Sequence, residues 1–338
     1  MNRIWRVFGQ QTALVIVMVI FSFFSLTVGS IFLSPGNLEN IARQISIDAP
    51  VAFGQSIVLI AGGIDISVGS NMAMCAALAI GLQSYGTPVA VLIALLFGTC
   101  VGAMNGLLVT RGKIVPFIAT LGTMSLVSGI LFTYTRQQPL PGHDEGFTFW
   151  GNGSIGPVPV PIIITLMLMS LLTLFLRRTR AGRNLYAVGG SKEAAYLAGI
   201  SVQRFQFLAF TISGFTAGLA GVLLASRLNS ATVQLGTDTP LLSISAAIIG
   251  GASLLGGRGS TIGAFLGVLA LGALTNGMNL LGVQTYYQIA IRASILIGVV
   301  AIDAFSGNLT RRRLALAGAS RPTAERRADM HSNAPASH

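Results

Sequence analysis

The chain has 338 residues, of which 52% are hydrophobic and only 9% are charged. Soluble domains carry about 25% charged residues, so this chain has too few charges to cover the surface of a water-soluble globule. The composition therefore excludes a soluble enzyme, a nucleic-acid binder and a disordered protein. The mean hydropathy of +0.74 and the 41 glycines are typical of packed transmembrane helices.

The apolar residues fall into ten runs that are nearly free of charge. A transmembrane helix needs about 20 mainly apolar residues, and these runs are apolar all round, unlike the alternating strands of a barrel. We therefore predict an all-α polytopic membrane protein with about ten transmembrane helices, some of them short or broken at Gly-rich segments. The first run is long and no A-x-A site follows it, so we interpret it as a retained helix and not a signal peptide. The predicted spans are 11–33, 49–64, 66–82, 88–109, 115–135, 158–176, 205–225, 239–256, 260–281 and 287–303.

The placement of lysine and arginine predicts the orientation. If the N-terminus is cytoplasmic and each run crosses once, the outer loops hold only Arg43, Arg136 and Arg227, and Arg292 falls in the last run. The remaining basic residues are then cytoplasmic, which places both termini inside and explains the net charge of +11 without nucleic acid. The predicted parts are a cytoplasmic N-terminus (1–10), a transmembrane domain (11–305) with an outer loop (136–157) and a cytoplasmic loop (177–204), and a basic disordered cytoplasmic tail (306–338).

Several motifs that would indicate other chemistry lack the context that this chemistry needs. The G-x-G-x-x-G of residues 151–156 is followed by prolines and not by the helix of a βαβ unit. The sequence G-x-x-x-x-G-K-[ST] does not occur, so we expect no P-loop. The histidines lack metal-ligand spacing, and we expect neither a metal nor a catalytic residue. Cys75 and Cys100 lie in apolar runs and are interpreted as small apolar residues, not as a disulfide.

Two Gly-rich segments, AGGIDISVGS (61–70) and GGASLLGGRGS (250–260), interrupt apolar runs. Such interruptions are typical of broken helices that line cavities. A mid-membrane aspartate costs roughly 2.5–3.5 kcal/mol on insertion scales. Asp65 therefore either lies near the cytoplasmic interface or faces a polar cavity or partner. The predicted topology gives both breaks the same orientation, which does not support an inverted repeat.

Two stripes of glycine recur at every fourth residue, which lets helix backbones approach closely. We favour packing inside the bundle over the alternative, a subunit interface. The stripes are Gly98, Gly102 and Gly106, and Gly259, Gly263 and Gly267.

The cytoplasmic loop contains a pattern typical of a short capped helix. Ser191 stands at the N-cap position, Glu193 lies in the first turn where the helix dipole favours an acid, and Gly199 stands at the end. Such a helix is either a docking element for a partner subunit or only a structural loop.

A series of motifs, in order along the chain, resembles the permease subunits of ribose-type sugar ABC importers, the binding-protein-dependent transport permeases. The central loop and the two Gly-rich motifs together make the resemblance specific. The matching segments are LSPGNLENI (33–41), AGGIDISVGS (61–70), GAMNGLLVTRGKIVPFIATLGTM (102–124), GRNLYAVGGSKEAAYLAGI (182–200), GGASLLGGRGSTIG (250–263), NGMNLLGV (276–283) and YYQI (286–289).

The resemblance implies a multi-pass subunit of the bacterial inner membrane that is not itself an enzyme. A periplasmic sugar-binding protein would deliver the solute, and two permease subunits, identical or different, would form the pathway. A separate ATPase would bind ATP and Mg, so this chain would need no cofactor, and its other partner would be membrane lipid. The residues implied to couple to the ATPase are Gly182, Tyr186, Gly189, Gly190, Ser191, Glu193, Ala194, Ala195 and Gly199.

One departure from the family pattern concerns the stretch before the second Gly-rich motif. The family often reads E-L-D-A-I-A-A there, whereas Pro240 and Leu242 replace both acids in PLLSISA (240–246). Either the acids serve the substrate of one branch, or this chain pairs with an acid-bearing partner subunit.

We predict import of a monosaccharide or similar small polyol, which needs weak and reversible polar contacts. One alternative is a permease of the related branched-chain amino-acid importers, whose charged substrate would demand a charged site. The other is a secondary transporter or channel, which normally keeps acids within its spans. The candidate pathway-lining residues are Asp65, Ser67, Asn105, Phe117, Thr120, Asn276 and Asn279.

Overall fold

A computed structural model of the protein describes residues 2–295, 297–298 and 301, and residues up to Arg292 belong to one compact unit. The predicted tail (306–338) lies outside the described residues. The helices are α1 (Asn2–Thr27), α2 (Pro35–Ile60), α3 (Val68–Gly81), α4 (Thr87–Thr110), α5 (Pro116–Thr135), α6 (Phe149–Asn152), α7 (Val160–Arg178), α8 (Arg180–Gly190), α9 (Lys192–Leu197), α10 (Val202–Leu228), α11 (Thr239–Ile249) and α12 (Thr261–Leu280), and a further helix covers residues 285–295. Four two-residue strands are described: β1 (Leu140–Pro141), β2 (Ser154–Ile155), β3 (Val158–Pro159) and β4 (Ser230–Ala231).

Five of the described helices, α4, α5, α7, α10 and α12, are long and apolar enough to cross a membrane. Three further apolar segments are shorter: residues Gln11–Thr27 of α1, and the helices α3 and α11. The protein is therefore an all-α polytopic membrane protein, as predicted.

The second predicted span is wrong at its start, because α2 begins at Pro35 and not near residue 49. Ser34 caps this helix by accepting a hydrogen bond from the amide of Asn37 at 3.4 Å. The charged residues Glu39, Arg43 and Asp48 lie between the start and the middle of α2, so the hydropathy of this part of the helix does not indicate a membrane span. The helix forms nevertheless because neighbouring helices, and not lipid, surround its second half, where nearly every residue is buried.

Both Gly-rich segments break the helical backbone as predicted. The chain is non-helical over residues 61–67, between α2 and α3, and over residues 250–260, between α11 and α12, although turns occur in both breaks. Each break shortens a neighbouring helix. At 1.5 Å per residue α3 is about 21 Å long and α11 about 16 Å, and the hydrocarbon core of a bilayer is about 30 Å thick.

Both predicted glycine stripes pack inside the bundle, as favoured over a subunit interface. A Cβ atom at Gly102 would lie 2.3 Å from the carbonyl oxygen of Phe210, so α4 and α10 cross with their backbones nearly in contact. Asn71 of α3 donates hydrogen bonds to the carbonyl oxygens of Gly98 and Gly214 at this crossing, each at 3.2 Å. In the second stripe, Gly263 and Gly267 pack α12 on α11, where a Cβ atom at Gly267 would lie 1.9 Å from the Ala246 oxygen, whereas Gly259 lies in the second break.

One end of the bundle is held by side-chain hydrogen bonds, and we call it the polar end. It comprises the side chains of Arg43, Gln83, Asp144 and Asn152. Arg43 donates to Glu39 at 2.6 Å, to the Ser154 hydroxyl at 2.9 Å and to two loop carbonyls.

The loop before α7 is anchored by the other three side chains of the polar end. Gln83 accepts from the amide of His143 at 2.8 Å, Asp144 accepts from Thr87, and Asn152 donates to the carbonyl oxygen of Arg227 at 2.7 Å. The antiparallel pairing of β1 with β4 ties the same loop to the end of α10.

Candidate functional site

At the other end of the bundle the loop of residues 177–204 meets both Gly-rich breaks. The meeting point, which we call the glycine junction, consists of Gly62, Gly189, Gly190, Gly256 and Gly257. A Cβ atom at Gly189 would lie only 1.7 Å from the carbonyl oxygen of Ile60 and 2.6 Å from the amide nitrogen of Gly257. The end of α8 is therefore in backbone contact with the first and the second break at once, and only glycine fits at position 189.

The two breaks also contact each other and the helices around them. The amide of Gly257 donates to the carbonyl oxygen of Ile60 at 3.0 Å. The hydroxyl of Tyr186, on α8, donates to the carbonyl oxygen of Gly259 at 2.9 Å. The first bond joins the second break to the end of α2 through the main chain, and the second holds α8 to the second break through the side chain of Tyr186.

Gly256 and Gly257 adopt φ angles of 87° and 70°. These left-handed values favour glycine. Together with the close backbone approach at Gly189, they explain why this region is so rich in that residue.

The loop of residues 177–204 contains two capped helices. The predicted short helix is confirmed as α9, with the Ser191 hydroxyl accepting from the amide of Ala194 at 3.2 Å and Gly199 following its end with φ of 74°. Sequence analysis missed α8, which Thr179 caps by accepting from the amide of Gly182 at 3.0 Å. Gly182, Tyr186, Gly189 and Gly190 lie on α8, whereas Glu193, Ala194 and Ala195 lie on α9.

The short helix α9 presents apolar side chains to the surroundings. Tyr196 is 76% exposed and Leu197 85% exposed, whereas Ala195 is buried against the bundle. The two exposed side chains are neighbours in sequence and together form a small apolar surface at the end of α9.

Three of the predicted pathway residues lie together in a buried polar cluster beside the first break. Asp65 accepts from the amide and hydroxyl of Ser67 at 3.0 and 2.6 Å, and from the hydroxyl of Ser213 at 2.9 Å. Asn105 donates to the Ser67 hydroxyl at 2.8 Å, while its own buried carbonyl oxygen has no hydrogen-bond partner. Asp65, Ser67 and Asn105 are all at most 1% exposed. Sequence analysis missed Ser213, because nothing in its local sequence marks it among the small residues of α10.

Two further candidates lie on α5. The Thr120 hydroxyl is within 3.4 Å of the carbonyl oxygen of Ile64, so this residue contacts the same break. Phe117 is instead 48% exposed on the surface of the chain.

The last two candidates, Asn276 and Asn279, lie near the end of α12 and apart from this cluster. Asn276 and Asn37 exchange hydrogen bonds at 2.8 and 2.9 Å. Asn279 accepts from Gln288 at 2.7 Å. The structure therefore places four of the predicted pathway residues at the first break and two near the end of α12, with Phe117 apart from both on the surface.

A cavity of about 260 Å³ lies between α3, α5 and the non-helical segment before α11. Pro240, which stands where the family often has an acid, is part of its wall. The backbone approaches α3 closely here, because a Cβ atom at Gly69 would lie 2.3 Å from the carbonyl oxygen of Gly236. Irregular backbone is tolerated at membrane depth where it is buried in protein or lines a cavity. The lining residues are Gly69, Ser70, Ala73, Met124, Ser128, Leu131, Phe132, Val233, Leu235, Gly236, Thr237 and Pro240.

The described residues include no group of three or more His, Cys, Asp or Glu side chains that could hold a metal ion. Within the same residues, Cys75 and Cys100 are both free thiols, as predicted.

A bundle with five candidate membrane-spanning helices and two broken segments defines a polytopic membrane protein. The sequence profile of the family described as the branched-chain amino acid transport system / permease component matches residues 37–300. The chain belongs to this family of permeases. No solved structure matches it.

Curated relatives resemble the chain along most of its length. It is 40% identical over 276 residues to the ribose import permease protein RbsC of Bacillus subtilis, covering 80% of this chain and 86% of the relative. It is 36% identical over 311 residues to RbsC of Haemophilus influenzae, covering 90% and 96%. It is 35% identical over 302 residues to the D-allose transport system permease protein AlsC of Escherichia coli, covering 88% and 92%. The resemblance to ribose-type permeases is thus confirmed.

Proposed function

We propose that this chain is the permease subunit of an ABC importer that moves a monosaccharide or similar small polyol from the periplasm to the cytoplasm across a bacterial inner membrane. Its relatives are permeases for ribose and D-allose, which supports a sugar over a branched-chain amino acid. The scarcity of charged residues within the spans supports a neutral solute.

The two ends of the bundle are far enough apart to lie on opposite sides of a membrane. Helix α10 contributes Gln206 next to the glycine junction, where it donates to Ala61, and Arg227 at the polar end. Between these residues an α-helix rises about 32 Å, which is close to the thickness of the hydrocarbon core. With the lysines and arginines concentrated beside the junction, the positive-inside rule makes that end cytoplasmic. In this proposal the chain crosses the membrane about ten times and both termini are cytoplasmic.

The contact of Gly189 with both breaks is the observation that carries the mechanism. A separate ATPase binds ATP and Mg and docks on α9 through Tyr196 and Leu197. Movement of the ATPase displaces α8, and the glycine junction passes that displacement to residues 61–67 and 250–260 together. This chain supplies neither a nucleotide site nor an enzymatic activity of its own.

The solute route in this proposal runs beside the first break. The cavity lined by Pro240 and the buried cluster around Asp65 lie on either side of the start of α3. Movement of the break opens this region, and hydroxyl and amide groups such as those of Ser67 and Asn105 then contact the solute. Phe117, Thr120, Asn276 and Asn279 complete the proposed lining. A second permease subunit, identical or different, supplies the other wall, and a periplasmic sugar-binding protein delivers the solute.

Uptake by reconstituted proteoliposomes tests this proposal. The chain is reconstituted with and without its ATPase and binding protein, and radiolabelled ribose, D-allose and valine are offered with ATP inside the vesicle or outside. We expect sugar uptake only when both partners are present and ATP is on the side of the glycine junction. Valine uptake would favour the amino-acid alternative, and sugar uptake driven by a proton or sodium gradient alone would favour a secondary transporter.

A further inference from the structure

The loop before α7 displays large apolar side chains at the polar end of the bundle. Phe149 is 46% exposed, Trp150 51%, Ile155 61% and Val158 41%. The rings of Phe149 and Trp150 stand edge to face, with centroids 6.0 Å apart. We call residues 149–158 the apolar loop.

The backbone of the apolar loop is fixed although its side chains are exposed. A Cβ atom at Gly151 would lie 2.3 Å from the amide nitrogen of Arg227, so α6 rests directly on the end of α10. Arg43 donates to the carbonyl oxygens of Gly151 and Gly153, and β2 pairs with β3. The exposed apolar surface is therefore a built feature of the fold and does not come from a loose segment.

The apolar loop leads without a charge into a membrane-spanning helix. No Asp, Glu, Lys or Arg occurs between Glu145 and Arg177. Strand β3 ends at Pro159, and α7 begins at the next residue. Helix α7 is one of the five candidate spans, and it exposes Met167 and Leu171 at 67% and 62%. One uncharged stretch thus covers both the loop and the lipid-facing helix.

We propose that the apolar loop lies in the bilayer at the boundary between headgroups and acyl chains, and that its occupant is lipid. Tryptophan is enriched at this depth because its ring is apolar and its indole N–H is polar. Segments that lie in the interface bury their apolar face about 5–10 Å into this boundary. The proposal rests on the protein being a membrane protein and not on what it transports.

Fluorescence quenching of Trp150 tests the proposal. The chain contains two tryptophans, so Trp5→Phe leaves Trp150 as a single reporter. The variant is placed in nanodiscs whose lipids are brominated either near the top of the acyl chains or near their ends, and acrylamide is the quencher in water. A matched control moves the reporter to residue 145, which precedes the apolar loop. It combines Trp5→Phe and Trp150→Phe with Glu145→Trp, since Glu145 is exposed beside Asp144.

We expect lipids brominated near the top of the chains to quench Trp150 at least about twofold more than those brominated near the ends, as interfacial depth requires. Acrylamide is expected to quench the reporter at position 145 more strongly than Trp150. Strong quenching of Trp150 by acrylamide with none by either lipid would overturn the proposal and indicate a water-exposed surface. Protection from all three quenchers would also overturn it, because the loop would then be covered by protein.

Adding the purified binding protein tests whether the apolar loop contacts lipid or the binding protein. Under the proposal the lipid quenching of Trp150 is unchanged when the binding protein is bound. Its loss on binding would show that the apolar loop is a protein-docking surface.

Discussion

The two ends of the helix bundle are held together by different chemistry. At the polar end, side chains such as Arg43 and Asn152 reach across loops and donate to carbonyl and carboxylate oxygens. At the glycine junction the backbones themselves are in contact, as between Gly189 and Ile60. A side-chain hydrogen bond breaks and reforms as rotamers change, whereas a backbone contact keeps its geometry unless a whole segment moves.

A bundle built in this way can be fixed at one end and transmit movement at the other. The polar end joins the segment after α3, the loop before α7 and the end of α10, and its many independent bonds each contribute modestly. The junction has few contacts, but they join three segments that are far apart in sequence. Substitutions at the two ends should therefore differ in how much stability they remove from the protein.

The largest effect is expected from adding one methyl group at the junction. Gly189→Ala places a Cβ atom 1.7 Å from the Ile60 oxygen, and the backbones must separate. Overpacking of this kind costs about 3 kcal/mol. Unfolding of the purified protein in mixed micelles with rising SDS measures the loss. The control is Gly190→Ala, where a Cβ atom would meet nothing within 4 Å, and equal stability of the two variants would contradict the packing described.

A smaller loss is expected from the polar cluster beside the junction. Asp65→Ala leaves the buried hydroxyls of Ser67 and Ser213 without their acceptor, which costs about 2 kcal/mol. Asp65→Asn keeps one acceptor oxygen and should retain part of that stability. The same SDS titration measures both, and a stability of Asp65→Ala equal to that of the parent would show that the cluster does not stabilise the break.

A substitution at the polar end should cost less again. Arg43→Ala removes donors to Glu39 and Ser154, but the pair is partly exposed. The expected loss is about 1 kcal/mol, since water replaces these bonds. Arg43→Lys should recover less than half of it, because lysine cannot donate to several acceptors in one plane. A loss as large as that of Gly189→Ala would erase the distinction between the two ends.

The smallest effect is a dependence on pH at the polar end. A hydrogen bond from Thr87 holds the pKa of Asp144 below its usual value of 3.8. A carboxyl whose pKa is depressed in the folded state stabilises the fold above its unfolded pKa, and this stability is lost as the pH falls through the folded pKa. The melting temperature of the parent should therefore fall more steeply below about pH 4 than that of Asp144→Asn. Parallel curves for the two proteins would show that Asp144 does not contribute to the dependence of stability on pH.

Local sequence predicted the features that depend on local chemistry. Residue type and spacing predicted the glycine breaks, the glycine stripes and the capped helix at Ser191. Composition predicted an all-α membrane protein. The start of α2 could not be found in this way, because Glu39, Arg43 and Asp48 lower the hydropathy of a helix whose other half is covered by protein.

Contacts between distant segments were beyond local sequence. The junction joins Ile60, Gly189 and Gly257, whose positions differ by more than sixty residues at each step. A glycine required by a close approach has the same local signature as one that faces open space, such as Gly190. The partnership of Ser213 with Asp65 was missed for the same reason.

In the proposed mechanism the glycine junction passes the movement of a docked ATPase to both breaks. The most direct measurement is the amount of sugar imported per ATP hydrolysed, in proteoliposomes that contain Gly189→Ala or Gly190→Ala with the ATPase and binding protein. We predict that Gly190→Ala keeps the parental ratio, whereas Gly189→Ala inserts, hydrolyses ATP and imports little sugar. A parental ratio in Gly189→Ala would show that the glycine junction does not couple the ATPase to the two breaks.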